Sequence, residues 1–202
     1  MLGALPHDRI AVQWDVAVEF GILEGSFTAT EGQEFDSIVE RIARCVDHVP
    51  ADVPVGLHLC YGDYQHRHFT EPESLDMQVR VVNEIELRVR RSVSWYAFTV
   101  PQYQRNPAYF EPLRKLRVRP GTELNFALVP YHASTQPPGT TEEQVRLVDE
   151  NLAATGQAEW GICTECGMAR ALSGRTSQPF SICTARSWRR TGPNGRRPTS
   201  GS

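Results

Sequence analysis

Long hydrophobic runs, lysine and an export signal are what this 202-residue sequence most clearly lacks. No stretch approaches the ~18 consecutive apolar residues that a membrane-spanning helix needs. The N-terminal segment has neither the basic flank nor the long apolar core of a signal peptide. The chain contains five cysteines, an odd number. Together these features predict a cytoplasmic protein with reduced thiols and no membrane partner.

Lysine occurs once, at Lys115, and every other basic residue is arginine. Six arginines and no acid fall in residues 171–202, which leaves 15 basic and 24 acidic residues in 1–170. This acidic body does not favour nucleic-acid binding. The tail is rich in Ser, Gly, Pro and Arg and has no structural period, which predicts disorder, with a basic RNA-binding arm as the alternative. We therefore divide the chain into a domain of residues 1–170 and a disordered tail of residues 171–202.

Apolar residues in 1–170 recur alternately at strand-like and helix-like spacing. The predicted strands are Ile10–Val18, the run between Pro54 and Gly62, Ser94–Val100, Glu123–Val129 and Glu159–Thr164. The predicted helices are Glu34–Val49, Glu73–Arg91, Pro107–Leu116 and Thr141–Thr155. Five βα units imply an α/β fold with a parallel sheet and right-handed crossovers. The pattern alone is compatible with a doubly wound sheet or with part of a (β/α)8 barrel.

The run between Pro54 and Gly62 carries two residues of metal-binding type, His58 and Cys60. On a strand, the i, i+2 spacing directs both side chains to one face, with Cα atoms roughly 6–7 Å apart. An imidazole nitrogen and a thiolate at that separation can share one metal ion. A packed histidine beside a buried thiol is the alternative. A second thiol-bearing segment, Trp160–Met168, favours the metal site.

The positions of the polar residues favour a barrel. Asp15, His58, Cys60 and Cys166 all fall late in their predicted strands or just past them. In (β/α)8 barrels, the C-terminal ends of the strands form the face where the chemistry is done.

Three segments resemble landmarks of the C-terminal zinc barrel of cobalamin-independent methionine synthase, in the superfamily that also contains uroporphyrinogen decarboxylase. They are Gln13–Glu19, His58–Gly62 and Glu165–Arg170, and their order and rough spacing agree over about residues 5–170. The resemblance implies a partial (β/α)8 TIM barrel whose roughly five βα units match the C-terminal part of the family barrel. It also implies that the first three strands of that barrel are absent, as in a truncated member.

By this resemblance, His58, Cys60 and Cys166 bind a catalytic Zn²⁺ ion. The family's short acidic motif places Asp15 at the amino group of the substrate, most simply homocysteine. The activity implied is transfer of a methyl or alkyl group from a donor molecule to a small-molecule thiol, as in methionine biosynthesis.

Two further residues are predicted to lie near the substrate, His132 after the fourth strand and Asp63 after the His-x-Cys run. A zinc-bound histidine needs its second ring nitrogen held by a partner, and either Asp63 or Tyr61 is expected to serve His58.

The chain also departs from the family. Val16–Ala17 replaces a Glu-Pro pair, and Trp95–Val100 lacks the glutamate that serves methionine synthase as a further ligand. With the first strands absent, two sheet edges would be open, which predicts weak catalysis by this chain alone and possible self-association. The alternative functions are a non-catalytic half-barrel remnant and a metal-free, decarboxylase-like relative.

Several other side chains allow more than one interpretation. Cys163 and Cys166 form a Cys-x-x-Cys, which also occurs in redox pairs and zinc knuckles, but strand alternation is expected to direct Cys163 into helix packing. Glu165 is expected to be solvated or ion-paired. His66 and His68 are expected to be solvated loop residues, with binding of anionic substrate groups as the alternative.

Overall fold

The computed structural model describes residues 5–62, 67–130, 137–157 and 159–165, and its centre is one sheet of five parallel strands. The strands are β1 (Val12–Val16), β2 (Val55–Leu59), β3 (Trp95–Phe98), β4 (Glu123–Val129) and β5 (Gly161–Thr164). Each lies within a strand predicted from the sequence, and all pair in parallel. The predicted α/β fold with a parallel sheet is therefore confirmed.

The connecting segments are mainly helical. The α-helices are α1 (Val18–Leu23), α2 (Phe35–Asp47), α3 (Asp76–Arg88), α4 (Pro107–Phe110) and α5 (Thr140–Leu152). Short 3-10 helices lie at His7–Arg9, Glu111–Lys115 and Ala153–Thr155. Helix α1 was not predicted, because the first strand was expected to continue to Val18. Its N-cap residue, Ala17, makes no side-chain cap, so the sequence carries no start signal there.

Strand order follows chain order, β1-β2-β3-β4-β5. Right-handed connections between successive parallel neighbours all pass on the same side of a sheet. The core agrees with this: the buried strand residues Leu57, Leu59, Phe98 and Phe126 belong to one cluster with residues of the helices, such as Ile38 in α2. One face of the sheet is therefore covered by helices and forms the core.

The opposite face carries small and polar side chains. Asp15, His58, Ala97, Asn125 and Gly161 form one row across the five strands, each in register with the next. None of these residues belongs to the apolar core cluster. This row crosses the sheet near the carboxyl end of β2, and the candidate site lies on it.

Trp95 covers the row one step closer to the amino ends of the strands. Its indole lies over Gly56, where a Cβ atom would be only 1.9 Å from the ring. The indole Nε1 donates a hydrogen bond of 2.9 Å to the side-chain oxygen of Gln13 on β1. Glycine at position 56 is therefore required by the indole, and the two together form a wall below His58.

Within the described residues, β1 and β5 each pair with a strand on one side only. None of the helices in those same ranges is long and apolar enough to cross a membrane.

Candidate metal centre

His58 and Cys60 lie at the carboxyl end of β2, the most buried strand of the sheet. All five β2 residues are buried, and Cys60 directly follows the strand with 3% of its surface exposed. The Cys60 backbone N–H donates a 3.1 Å hydrogen bond to the Val16 carbonyl, so pairing with β1 continues past the assigned strand. This extended backbone gives the i, i+2 pair a common direction, as the sequence indicated.

Asp15 of β1 is the in-register neighbour of His58. Neighbouring strands lie ~4.8 Å apart, and paired residues point to the same face of the sheet. One ligand atom from each of Asp15, His58 and Cys60 lies within 4.8 Å of the other two. In the described part of the chain, these three residues form the one such group of His, Cys and acidic side chains. The structure thus joins a residue predicted to bind substrate to two predicted metal ligands.

The donor atoms of this group suit a metal ion. His58 is only 9% exposed, and its Nε2 atom is buried without a hydrogen-bond partner among the described residues. A buried polar atom without a partner costs about 1–3 kcal/mol, and a bound metal ion would remove this cost. Imidazole, thiolate and carboxylate are the three ligand types that zinc takes in proteins.

The turn that follows Cys60 places a backbone N–H group against the Cys60 sulfur. The Gly62 backbone N–H donates a 3.3 Å hydrogen bond to Cys60 Sγ. Gly62 has φ of 82°, and a Cβ there would lie 2.3 Å from the Phe69 ring, so a side chain at this position is excluded twice. Cysteine binds metal ions as its thiolate, and the Gly62 N–H is placed to donate to that sulfur.

Four predicted site residues, Cys166, His132, Asp63 and His66, lie outside the described residues. The role of Cys166 as a third ligand stays a prediction, as do the substrate contacts of His132 and Asp63. Asp15 as a substrate-binding residue also stays a prediction.

Tyr61 does not hold His58. It points to the other face of the extended segment, where its hydroxyl donates a 3.0 Å hydrogen bond to Glu24 and its ring packs against Phe20. Burial raises the pKa of the Glu24 carboxyl, and it raises the pKa of the Tyr61 hydroxyl strongly. The expectation that Tyr61 serves His58 is wrong, because residues an odd number of positions apart on an extended segment point to opposite faces.

A second polar cluster joins the segment after β2 to the end of β5. The His68 ring has Nδ1 3.2 Å from Glu71 and Nε2 2.8 Å from Glu165. Gln102 donates a hydrogen bond to Glu165, and Tyr103 donates one to Glu71. Burial by itself would lower the pKa of His68, but the two carboxylates outweigh it and raise that pKa to about 10. His68 is therefore a buried imidazolium at neutral pH.

This cluster corrects one expectation and confirms another. His68 is not solvated, since only 8% of its side chain is exposed, and both of its ring nitrogens already contact carboxylates. Glu165 is ion-paired, one of the two states expected for it. The contact with Glu165 had no local signal, because 97 residues of chain separate the pair.

Cys163 lies on the site face of the sheet and not in the helix layer. It is in register with Ala127 of β4, which shares the face of Asn125 and His58. Its neighbours in sequence, Trp160 and Ile162, are the ones that pack against the core. The expectation of helix packing was wrong because it took alternation from Cys166, a residue beyond the end of β5. Burial raises the pKa of the Cys163 thiol to about 12.

Comparisons of the chain with protein-family models, with curated proteins and with solved structures gave no match.

Proposed function

We propose that this protein is a zinc-dependent enzyme that transfers a methyl or alkyl group to a small-molecule thiol. One observation carries the proposal: ligand atoms of the buried His58 and Cys60 and of Asp15 lie within 4.8 Å of one another near the carboxyl ends of two parallel strands. In addition, His58 Nε2 is buried without a hydrogen-bond partner among the described residues. The resemblance to the zinc barrel of cobalamin-independent methionine synthase makes homocysteine the simplest acceptor thiol. The protein would then act in methionine biosynthesis in the cytoplasm.

The architecture supports this proposal. Sequential strand order with helices on one face is the arrangement of consecutive units in a (β/α)8 barrel, whereas a doubly wound sheet reverses its order and has helices on both faces. We propose that the domain is part of such a barrel. The helix-free face is then the barrel interior, and the row containing His58 lies toward its catalytic end.

Each residue has a defined task at the site. The His58 ring offers a nitrogen from a buried strand, so its position is well fixed. Cys60 offers a buried sulfur that accepts a hydrogen bond from the Gly62 N–H. A zinc ion held there would supply a Lewis acid that lowers the pKa of the acceptor thiol, which makes its thiolate available at neutral pH. The wall formed by Trp95 and Gly56 lies next to the site on the side of the strands' amino ends.

Metal content of the purified intact chain tests the proposal. We expect about one zinc ion per chain, and we expect His58→Ala and Cys60→Ser each to abolish its retention. Cys45→Ser is the matched control, because Cys45 is an exposed cysteine on α2. Cys166→Ser tests the predicted third ligand, and full zinc retention in that variant would remove Cys166 from the ligand set. Wild-type protein without zinc, or zinc that survives both His58→Ala and Cys60→Ser, would refute the proposed site.

Binding of the thiol is tested separately from turnover. Addition of homocysteine to the cobalt-substituted protein should change the visible cobalt spectrum, whereas serine, which lacks the thiol, should not. An identical response to the two amino acids would argue against a thiol acceptor.

A further inference from the structure

We infer that Asp15 is itself a metal ligand, so that the described part of the centre spans two neighbouring strands and supplies one carboxylate, one imidazole and one thiolate. The inference rests on the metal site proposed above and assigns Asp15 a role different from the substrate contact that the sequence suggested.

The register between β1 and β2 places Asp15 beside the two proposed ligands. Asp15 and His58 are directly paired between β1 and β2, and Cys60 follows two residues later on the same face. Ligand atoms of all three lie within 4.8 Å of one another. In a tetrahedral zinc site with bonds of roughly 2.0–2.3 Å, ligand atoms are ~3.5 Å apart. The ligand atoms therefore have to approach one another by about 1 Å to reach that spacing.

The surroundings of the Asp15 carboxylate also allow it to act as a ligand. Within residues 5–62, 67–130, 137–157 and 159–165, no basic side chain pairs with Asp15. The side chain is exposed, while His58 and Cys60 beside it are buried. Asp15 can therefore turn toward an ion held by the two buried ligands without breaking a described salt bridge.

Electrostatic attraction to a divalent ion also favours coordination by Asp15. An ion held by His58 and Cys60 carries two positive charges, and the Asp15 carboxylate is the acidic group that the sheet places beside it. The attraction between such charges at ~4 Å is large when one side of the site is dry protein. Hard oxygen and soft sulfur ligands together suit the borderline character of zinc. Direct coordination would bring the charge of the Asp15 carboxylate against the ion.

A cobalt titration of the intact chain tests this assignment. The protein is stripped with a chelator, titrated with Co²⁺, and followed by the thiolate-to-cobalt absorption and the visible cobalt bands, with zinc competition giving the affinity. Asp15→Asn should weaken binding by about a hundredfold, at or above the 10–100-fold effect of losing an outer-shell partner, and should change the visible bands.

The matched control is Glu123→Gln. Glu123 is another exposed acid on the same sheet face, in register with Trp95 and one row closer to the amino ends of the strands. The Glu123→Gln substitution removes the same charge from the same face without touching the ligand group. If Asp15 acts by coordination and not through the overall negative charge of this face, the cobalt affinity of Glu123→Gln should stay within about twofold of wild type. Asp15→His should restore tight binding with a different visible spectrum, because a neutral imidazole can coordinate but cannot replace the charge.

The outcomes separate this inference from the proposed function. If His58→Ala and Cys60→Ser abolish cobalt binding while Asp15→Asn binds with wild-type affinity and spectrum, the metal site stands and the role of Asp15 is refuted. Equal losses of cobalt affinity in Asp15→Asn and Glu123→Gln, with no recovery of affinity in Asp15→His, would also refute the role of Asp15 as a ligand. If wild-type protein binds no cobalt stoichiometrically, both proposals fail together.

Discussion

Replacement of His68 by glutamine should remove a buried positive charge that joins two segments of the chain. In the native protein the imidazolium lies between Glu71 and Glu165, and glutamine can donate one hydrogen bond there but carries no charge. We expect the variant to fold, to be less stable than wild type at neutral pH, and to lose most of that deficit in alkaline solution.

The magnitude follows from the pKa of His68, which rises from 6.5 to about 10 in the folded protein. At 1.36 kcal/mol per pKa unit, the full shift is equivalent to about 5 kcal/mol of stability. Because Glu71 is 49% exposed and its half of the interaction is screened by water, we expect a measured effect of about 2–4 kcal/mol. Removing one member of a buried ion pair typically costs 3–5 kcal/mol, which is consistent with this range.

The sign of the pH dependence is fixed by the direction of the shift. A histidine whose folded pKa lies above its unfolded pKa contributes its full stabilisation below about pH 6.5, and this is lost as the pH rises toward 10. On the acid side, burial would raise the pKa of Glu71, but the hydrogen bond and charge of His68 lower it overall. Glu71 therefore keeps its negative charge in mildly acidic solution, and pH 5.5 to 10 is the informative window.

Urea unfolding of wild type and His68→Gln across this window measures the effect. The difference in unfolding free energy should be largest near pH 6 and should fall toward pH 10. His7→Gln is the control, because His7 pairs with the exposed Asp52 and such surface pairs contribute about 0–1 kcal/mol. A difference between wild type and His68→Gln that stays constant from pH 6 to pH 10 would show that His68 is not held as an imidazolium.

Two further predictions concern the site face of the sheet. Gly56→Ala should destabilise the protein by about 1–3 kcal/mol and change its tryptophan fluorescence, because the new methyl group would meet the Trp95 indole; its cost in a Trp95→Ala background should be much smaller, and purely additive costs would contradict the contact. Cys163 should be alkylated by iodoacetamide at pH 8 much more slowly than the exposed Cys45, since a pKa of about 12 leaves on the order of one thiolate in ten thousand. Equal rates by peptide mass spectrometry would show that Cys163 is open to solvent.

The strands could be predicted because each carries apolar residues at strand spacing between polar or turn-forming residues. The clearest was β2, because its run between Pro54 and Gly62 is apolar apart from His58 and needed no knowledge of its neighbours. Helix α1 was missed for the corresponding reason: Val18–Leu23 begins without a capping side chain directly after a strand. Local patterns therefore predicted where regular structure occurs better than where one element ends and the next begins.

His58 and Cys60 could be recognised as a pair from the sequence alone, because residues at i and i+2 of one strand share a face whatever the rest of the chain does. The place of Asp15 beside them could not, since it depends on the register between β1 and β2, which is set by packing of the whole sheet. The same holds for His68 and Glu165, and for the face that Cys163 occupies. Sequence periodicity determines the direction of side chains within an element, whereas contacts between distant elements arise only when the folded core brings those elements together.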